Sequence, residues 1–198
     1  MRKMKVCRAL FGELLRPLGF EEHAIEDSGG HFVMRRVATP ELYHDIGPAL
    51  VVAGDRLEVW AYPTSPIFGL LDPEPDHAGI IPGMPHFLSR RDGVGWTPQT
   101  WPCETKEELS QVFETDIKPL ILNRAIPFLD TIRTVADILP LLQPDPTGEW
   151  FKGLALLHCG RKEEAKAAFL AERKSILDAE EVALKLFKGR RPASPSLE

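Results

Sequence analysis

The stretch "ALVVAGDRLEVWAY", Ala49–Tyr62, decides the fold class. Two apolar runs flank Gly54-Asp55, a pair suited to a two-residue hairpin turn because both residues tolerate the positive φ such turns need. The strands are then Ala49–Ala53 and Arg56–Tyr62. Closing on that turn pairs Val52 with Leu57 and Leu50 with Val59 on one face. Val51 beside Glu58 and Ala49 beside Trp60 make the other. One face is dry and the other half wet, as in an antiparallel sheet covered on one side by helices.

Upstream, "MRKMKVCRALFGELLRPLGF" supplies such a cover. Cys7, Leu10, Phe11, Leu14, Leu15 and Leu18 recur at helical spacing and form one apolar stripe. Gly19 is a natural stop, and Cys7, on the stripe, reads as a small core residue. "HFVMRRV", His31–Val37, follows a Ser-Gly-Gly turn signal and reads as a further strand.

Downstream of the hairpin the periodicity is lost. Residues 63–102 hold 8 of the 18 prolines and 5 of the 15 glycines, so this is read as a long loop, functional or disordered. "PHFLSRRD" is the one strand expected within it. Helices follow. Thr105 and Glu108 have capping-box spacing and lead the apolar series Leu109, Val112, Phe113 and Ile117. Pro119, Pro127 and Pro140 are expected to kink or break the helical layer, each lacking a backbone donor.

"GEWFKGLALLHCGRKEEAKAAF", Gly148–Phe169, resembles a single tetratricopeptide-type helical hairpin. Gly153 and Ala165 let two helices approach, and Gly160 ends the first. A solenoid needs about three repeats to form a concave surface, and one copy is present, so the hairpin reads as a cap. Its first helix offers Trp150, Leu154 and Leu157 for burial, with cover expected from "VADILPLL" and "AIPFL". The organisation is an α+β domain over 1–146, a helical hairpin cap over 147–188 and a disordered tail over 189–198.

Composition limits the function. Residues 1–148 carry 14 Lys+Arg against 21 Asp+Glu and residues 149–198 carry 10 against 8, summing to the net charge of −5. An acidic body argues against nucleic acid, whose binding needs clustered cations. No apolar run approaches the ~20 residues of a membrane span, and three scattered cysteines fit a reducing, cytoplasmic setting. His44-Asp45, Asp76-His77 and His158-Cys159 are adjacent pairs that project apart, so no metal or cofactor is expected. His158, near a helix end, reads as dipole and capping support.

"FGELLRPLGF" and "TWPCETKEELSQVFETDIKPLILNRAIPFLDTIRTVADILPLL" together resemble the opening helix and closing helices of domain-of-unknown-function family 4304. The resemblance implies an α+β fold and an immunity-like setting, and it transfers no catalytic residue. The expected function is a non-catalytic binding protein that neutralises or holds another protein. Trp96, Trp101, Arg90 and Arg91 are the candidate partner-binding residues, because Trp and Arg anchor interfaces; the alternative is that the tryptophans staple the loop to the body. The competing function is a small-molecule binder or hydrolase with its pocket under the 63–102 loop. An enzyme would gather at least two of His44, His77, His86 and Asp92 about one cleft; a binding protein would instead expose an apolar or aromatic patch.

Overall fold

The computed structural model describes residues 2–23, 32–51, 55–65, 87–89, 93–95, 100–142 and 146–174. Within them the protein is α+β. Helix α1 (Arg2–Leu15) ends in a short 3-10 turn and Gly19, whose φ is +84°. Seven strands follow: β1 (Glu21–His23), β2 (Val33–Thr39), β3 (Leu42–Val51), β4 (Arg56–Thr64), β5 (Phe87–Ser89), β6 (Gly93–Gly95) and β7 (Trp101–Pro102). They form one antiparallel sheet in the order β1-β2-β3-β4-β5-β6, with β7 also paired to β4. Helix α2 then runs through residues 106–130, a 3-10 segment covers Val135–Leu141, and α3 (Pro146–His158) is followed by helical residues 162–174, α4.

The hairpin at the centre forms, in a different register. Val51 pairs with Arg56, Leu50 with Leu57 and Pro48 with Val59, two residues away from the pairing a turn on Gly54-Asp55 would give. A slip of two preserves which face each side chain takes, so Leu57 and Val59 still enter the core, both fully buried; Val52 and Gly54 lie outside the described residues. Asp55 is held by distant partners. The Asp55 carbonyl accepts from Cys103 N–H at 2.9 Å, and its carboxylate takes the Lys3 ammonium at 2.8 Å. Asp55, a turn residue, thus ties the hairpin to α1 and to the segment that leads into α2.

The first face of the sheet carries Phe32, Met34, Ile46, Leu57, Val59 and Ala61 into a core completed by Cys7, Phe11 and Leu15 of α1. Phe11 meets Phe32 edge-on at 6.0 Å and Phe113 of α2 at 5.1 Å, so the two helices and the sheet share one aromatic joint. The second face is mixed, as expected: Val51, Glu58 and Trp60 are half-buried, whereas Val33, Asp45, Gly47, Ala49, Tyr62 and Thr64 are buried. The long loop also begins later than expected, because Pro63 and Thr64 complete β4. Within 63–102 the described residues add β5, inside the expected strand, together with β6 and β7.

Helix α2 starts on the expected capping box: Thr105 Oγ1 accepts from Glu108 N–H at 3.1 Å, and Glu108 Oε2 accepts from Thr105 N–H at 3.2 Å. Pro119 and Pro127 do not break it. Wider π turns at Phe113–Ile117 and Ile121–Ala125 stand just before them, with helical dihedrals at each junction. Lys118 N–H donates to Phe113 O and Ile126 N–H to Ile121 O, each reaching back five positions. Leu109, Phe113, Ile117, Ile121, Ala125 and Leu129 are all buried, at a strict spacing of four. Five α-helical turns hold about 18 residues, two fewer than separate Leu109 from Leu129. Each π turn absorbs about one extra residue, which keeps this line on one face.

The terminal hairpin is closely packed at Gly153, where an added Cβ would lie 2.5 Å from the Phe169 ring. Gly160, at φ +76°, ends α3, with Arg161 N–H bonded to Leu156 O at 2.9 Å. Phe151, Leu154 and Ala155 join Leu42, Ile132, Val135 and Ile138 in a second core, with Leu139, Leu141, Leu142 and Phe128 at its margin. The inward face is turned relative to expectation. Leu156 is buried, whereas Trp150 and Leu157 are 40% and 49% exposed.

Candidate functional site

Three elements converge on an open cleft of about 460 Å³: Thr39–Glu41 of the β2–β3 turn, Arg133–Ala136 at the start of the 3-10 segment, and His158-Cys159 at the end of α3. Each is locally fixed. Thr39 Oγ1 accepts from Glu41 N–H at 3.3 Å, tightening the turn. Asp137 Oδ2 accepts from Arg133 N–H at 2.9 Å and from Thr134 N–H at 2.8 Å, and these bonds hold its carboxyl below the usual range. Across the cleft, His158 Nε2 lies 3.0 Å from Glu41 Oε2. The helix-end role read for His158 thus gains a partner from the opposite wall, 117 residues away.

A second polar cluster lies on the sheet. Arg35 grips Asp45 with two bonds of 2.8 and 2.6 Å, and Thr64 Oγ1 donates to Asp45 Oδ2 at 3.1 Å. The guanidinium also stacks over Tyr43 at 4.8 Å. Burial, with the Asp45 charge beside it, pushes the Tyr62 phenol well above its ordinary value. Arg35 also donates to His23 Nε2 at 3.3 Å, and burial and that guanidinium lower the His23 pKa. Charges 1% and 20% exposed and bound to each other form a structural pair.

His44 is likewise committed. The Ile132 carbonyl accepts at 2.8 Å, so Nε2 carries the proton and Nδ1 accepts from Arg36 at 2.9 Å. Burial lowers its pKa, and Arg36 adds to that lowering. Arg36 then reaches Asp130 and stacks on Phe20, tying the sheet to the end of α2. Cys7 is buried, and desolvation pushes its thiol up to about 12; burial also raises Cys103. Neither is a nucleophile in waiting.

Of the four partner-binding candidates, Trp101 is 0% exposed, inside the main core. Its indole Nε1 has no hydrogen-bond partner among the described residues. A side chain wholly removed from solvent offers a partner no surface in this structure. Trp96, Arg90 and Arg91 lie outside the described residues, as do His77, His86 and Asp92. Of the four catalytic candidates, only His44 is among the described residues. Among the described residues no cluster of three His, Cys, Asp or Glu is arranged to hold a metal, and no helix is long and apolar enough to cross a membrane. The cleft escaped sequence reading because Glu41, Arg133 and His158 are joined only by folding. Comparison with protein families, curated proteins and solved structures gives no match.

Proposed function

We propose that this chain is a non-catalytic binding protein that holds a segment of another protein in the cleft between the β2–β3 turn and the terminal hairpin. The observation that carries the reading is the open cleft itself, with Glu41, Arg133 and His158 among its lining residues and Val135 and Ala136 in its wall. Its volume falls in the range of about 300–1,000 Å³ typical of ligand sites. Trp150, Leu157 and Leu170 leave the hairpin 40%, 49% and 55% exposed, apolar surface of the kind protein partners cover. His44, Asp45, Tyr62, Cys7 and Cys103 are buried, which withdraws them from chemistry on a substrate. The immunity-like setting implied by the resemblance to family 4304 agrees with this reading.

A photo-crosslinking residue at Ala136, in the cleft, tests it against the same residue at Thr115, an exposed position outside the lining. A discrete cross-linked species from Ala136 alone supports the cleft; equal labelling from both positions, or none, defeats it. A second reading, a thiol enzyme, draws on Cys159 sharing the cleft with His158 and Glu41. Iodoacetamide alkylation of Cys159 no faster than that of a free thiol would defeat this second reading.

A further inference from the structure

Resting on the cleft as a binding site, we infer that Arg133 makes it selective for a free carboxylate attached to a small apolar body. That group is either the C-terminus of a partner chain or a small carboxylic acid. Three charged or titratable side chains other than the thiol line the cleft: Glu41, Arg133 and His158. Glu41 and His158 face each other at 3.0 Å and satisfy one another. Arg133 is different. Its backbone N–H is bound by Asp137 and its Nε donates to the Asp130 carbonyl at 3.2 Å, so the guanidinium is anchored at its base. Its two terminal nitrogens have no hydrogen-bond acceptor among the described residues, though its charge also acts on the Asp137 carboxylate.

The nearby carboxylates are already engaged. Asp130 pairs with Arg36, and Asp137 caps the 3-10 segment through Arg133 N–H, Thr134 N–H and Thr134 Oγ1. A guanidinium fixed at Nε and open at its outer edge presents two parallel donors, the geometry that matches a carboxylate. The remainder of the lining is Pro40, Val135, Ala136 and Cys159 with the hydroxyl residues Thr39 and Thr134, and its apolar part suits a short side chain beside the acid.

The test uses the full chain labelled for NMR and a mixture of acetylated tetrapeptides, prepared once with free C-termini and once amidated. Acetate and free amino acids form a separate arm. Free-acid peptides are expected to shift the Ala136 and Cys159 resonances at least ten times more tightly than amides. Arg133→Gln should remove that preference without changing the melting temperature, and Arg133→Lys should restore part of it. Shifts produced as well by acetate or amino acids assign the carboxylate to a small molecule. Equal binding of acids and amides overturns the carboxylate inference while leaving the cleft reading intact. No shift with any probe overturns the inference, and cross-linking at Ala136 then decides the cleft separately.

Discussion

Removing a residue from a buried helix ordinarily destroys its packing; in α2 the opposite is expected. Leu109, Phe113, Ile117, Ile121, Ala125 and Leu129 keep one face only because two π turns absorb two surplus residues. Deleting Thr115 from the first π turn should convert it into ordinary α-helix and leave everything downstream in phase. Pro119→Ala is added because, in a tighter turn, the proline ring meets the carbonyl four residues back, a cost of about 3 kcal/mol. Inserting an alanine after Thr115 does the reverse. It rotates Ile117, Ile121, Ala125 and Leu129 by about 100°, and three large side chains leave the core at about 1.5–3 kcal/mol each. The loss, roughly 5–9 kcal/mol, is comparable with the 5–15 kcal/mol that holds a typical domain together. Thermal melting followed by circular dichroism should therefore show the deletion close to the parent and the insertion unfolded or molten. Equal damage from the two changes would refute the phase argument.

Gly153→Val should drive its side chain into the Phe169 ring and destabilise the hairpin by about 1–3 kcal/mol, and Phe169→Leu in the same chain should recover part of it in a double-mutant cycle. Asp45→Ala leaves Arg35 without its bidentate partner and should cost about 3–5 kcal/mol in urea unfolding; a loss below 1 kcal/mol would show the pair to be dispensable. Val59→Asp places an unpaired charge at a fully buried position and should cost several kcal/mol; an unchanged melting temperature would contradict its place in the core. Stability should also fall on acidification. The folded pKa of His44 is lowered, so its contribution is complete above the ordinary value of 6.5 and is lost as pH drops toward the folded value. His44→Gln, which can still donate to Ile132 and accept from Arg36, should flatten that slope in pH-dependent melting.

Local signals in the sequence carried the architecture. The stripe from Cys7 to Leu18, the strands around Gly54-Asp55 and the Thr105–Glu108 box each depend on residues a few positions apart, and each is found in the fold. What local reading misjudged was decided by distant partners. The register at Gly54-Asp55 differs by two, and Asp55 is bound by Lys3 and Cys103, partners about 50 positions away on either side. The prolines of α2 looked like breaks because propensity weighs them singly, whereas the four-residue recurrence from Leu109 to Leu129 was the signal that the helix continues. The cleft was less legible still. His158 reads as a helix end and Glu41 as a surface acid, and only the packing of α3 against the 3-10 segment brings them together. Trp101 carried an ambiguous signal, since burial and interface both favour tryptophan.

The joint between α1 and α2 also has a consequence during synthesis. Lys3 is tied to the carbonyls of Cys103 and Glu104, contacts that span 100 and 101 residues, and Phe11 rests on Phe113. At about 5–20 residues per second, α1 leaves the ribosome on the order of 5–20 s before its helical partner exists. During that interval Cys7, Phe11 and Leu15 have only the strands to lean on. The nascent chain thus holds an apolar helix face whose second partner is still to be made, a surface any apolar binder could cover in that interval.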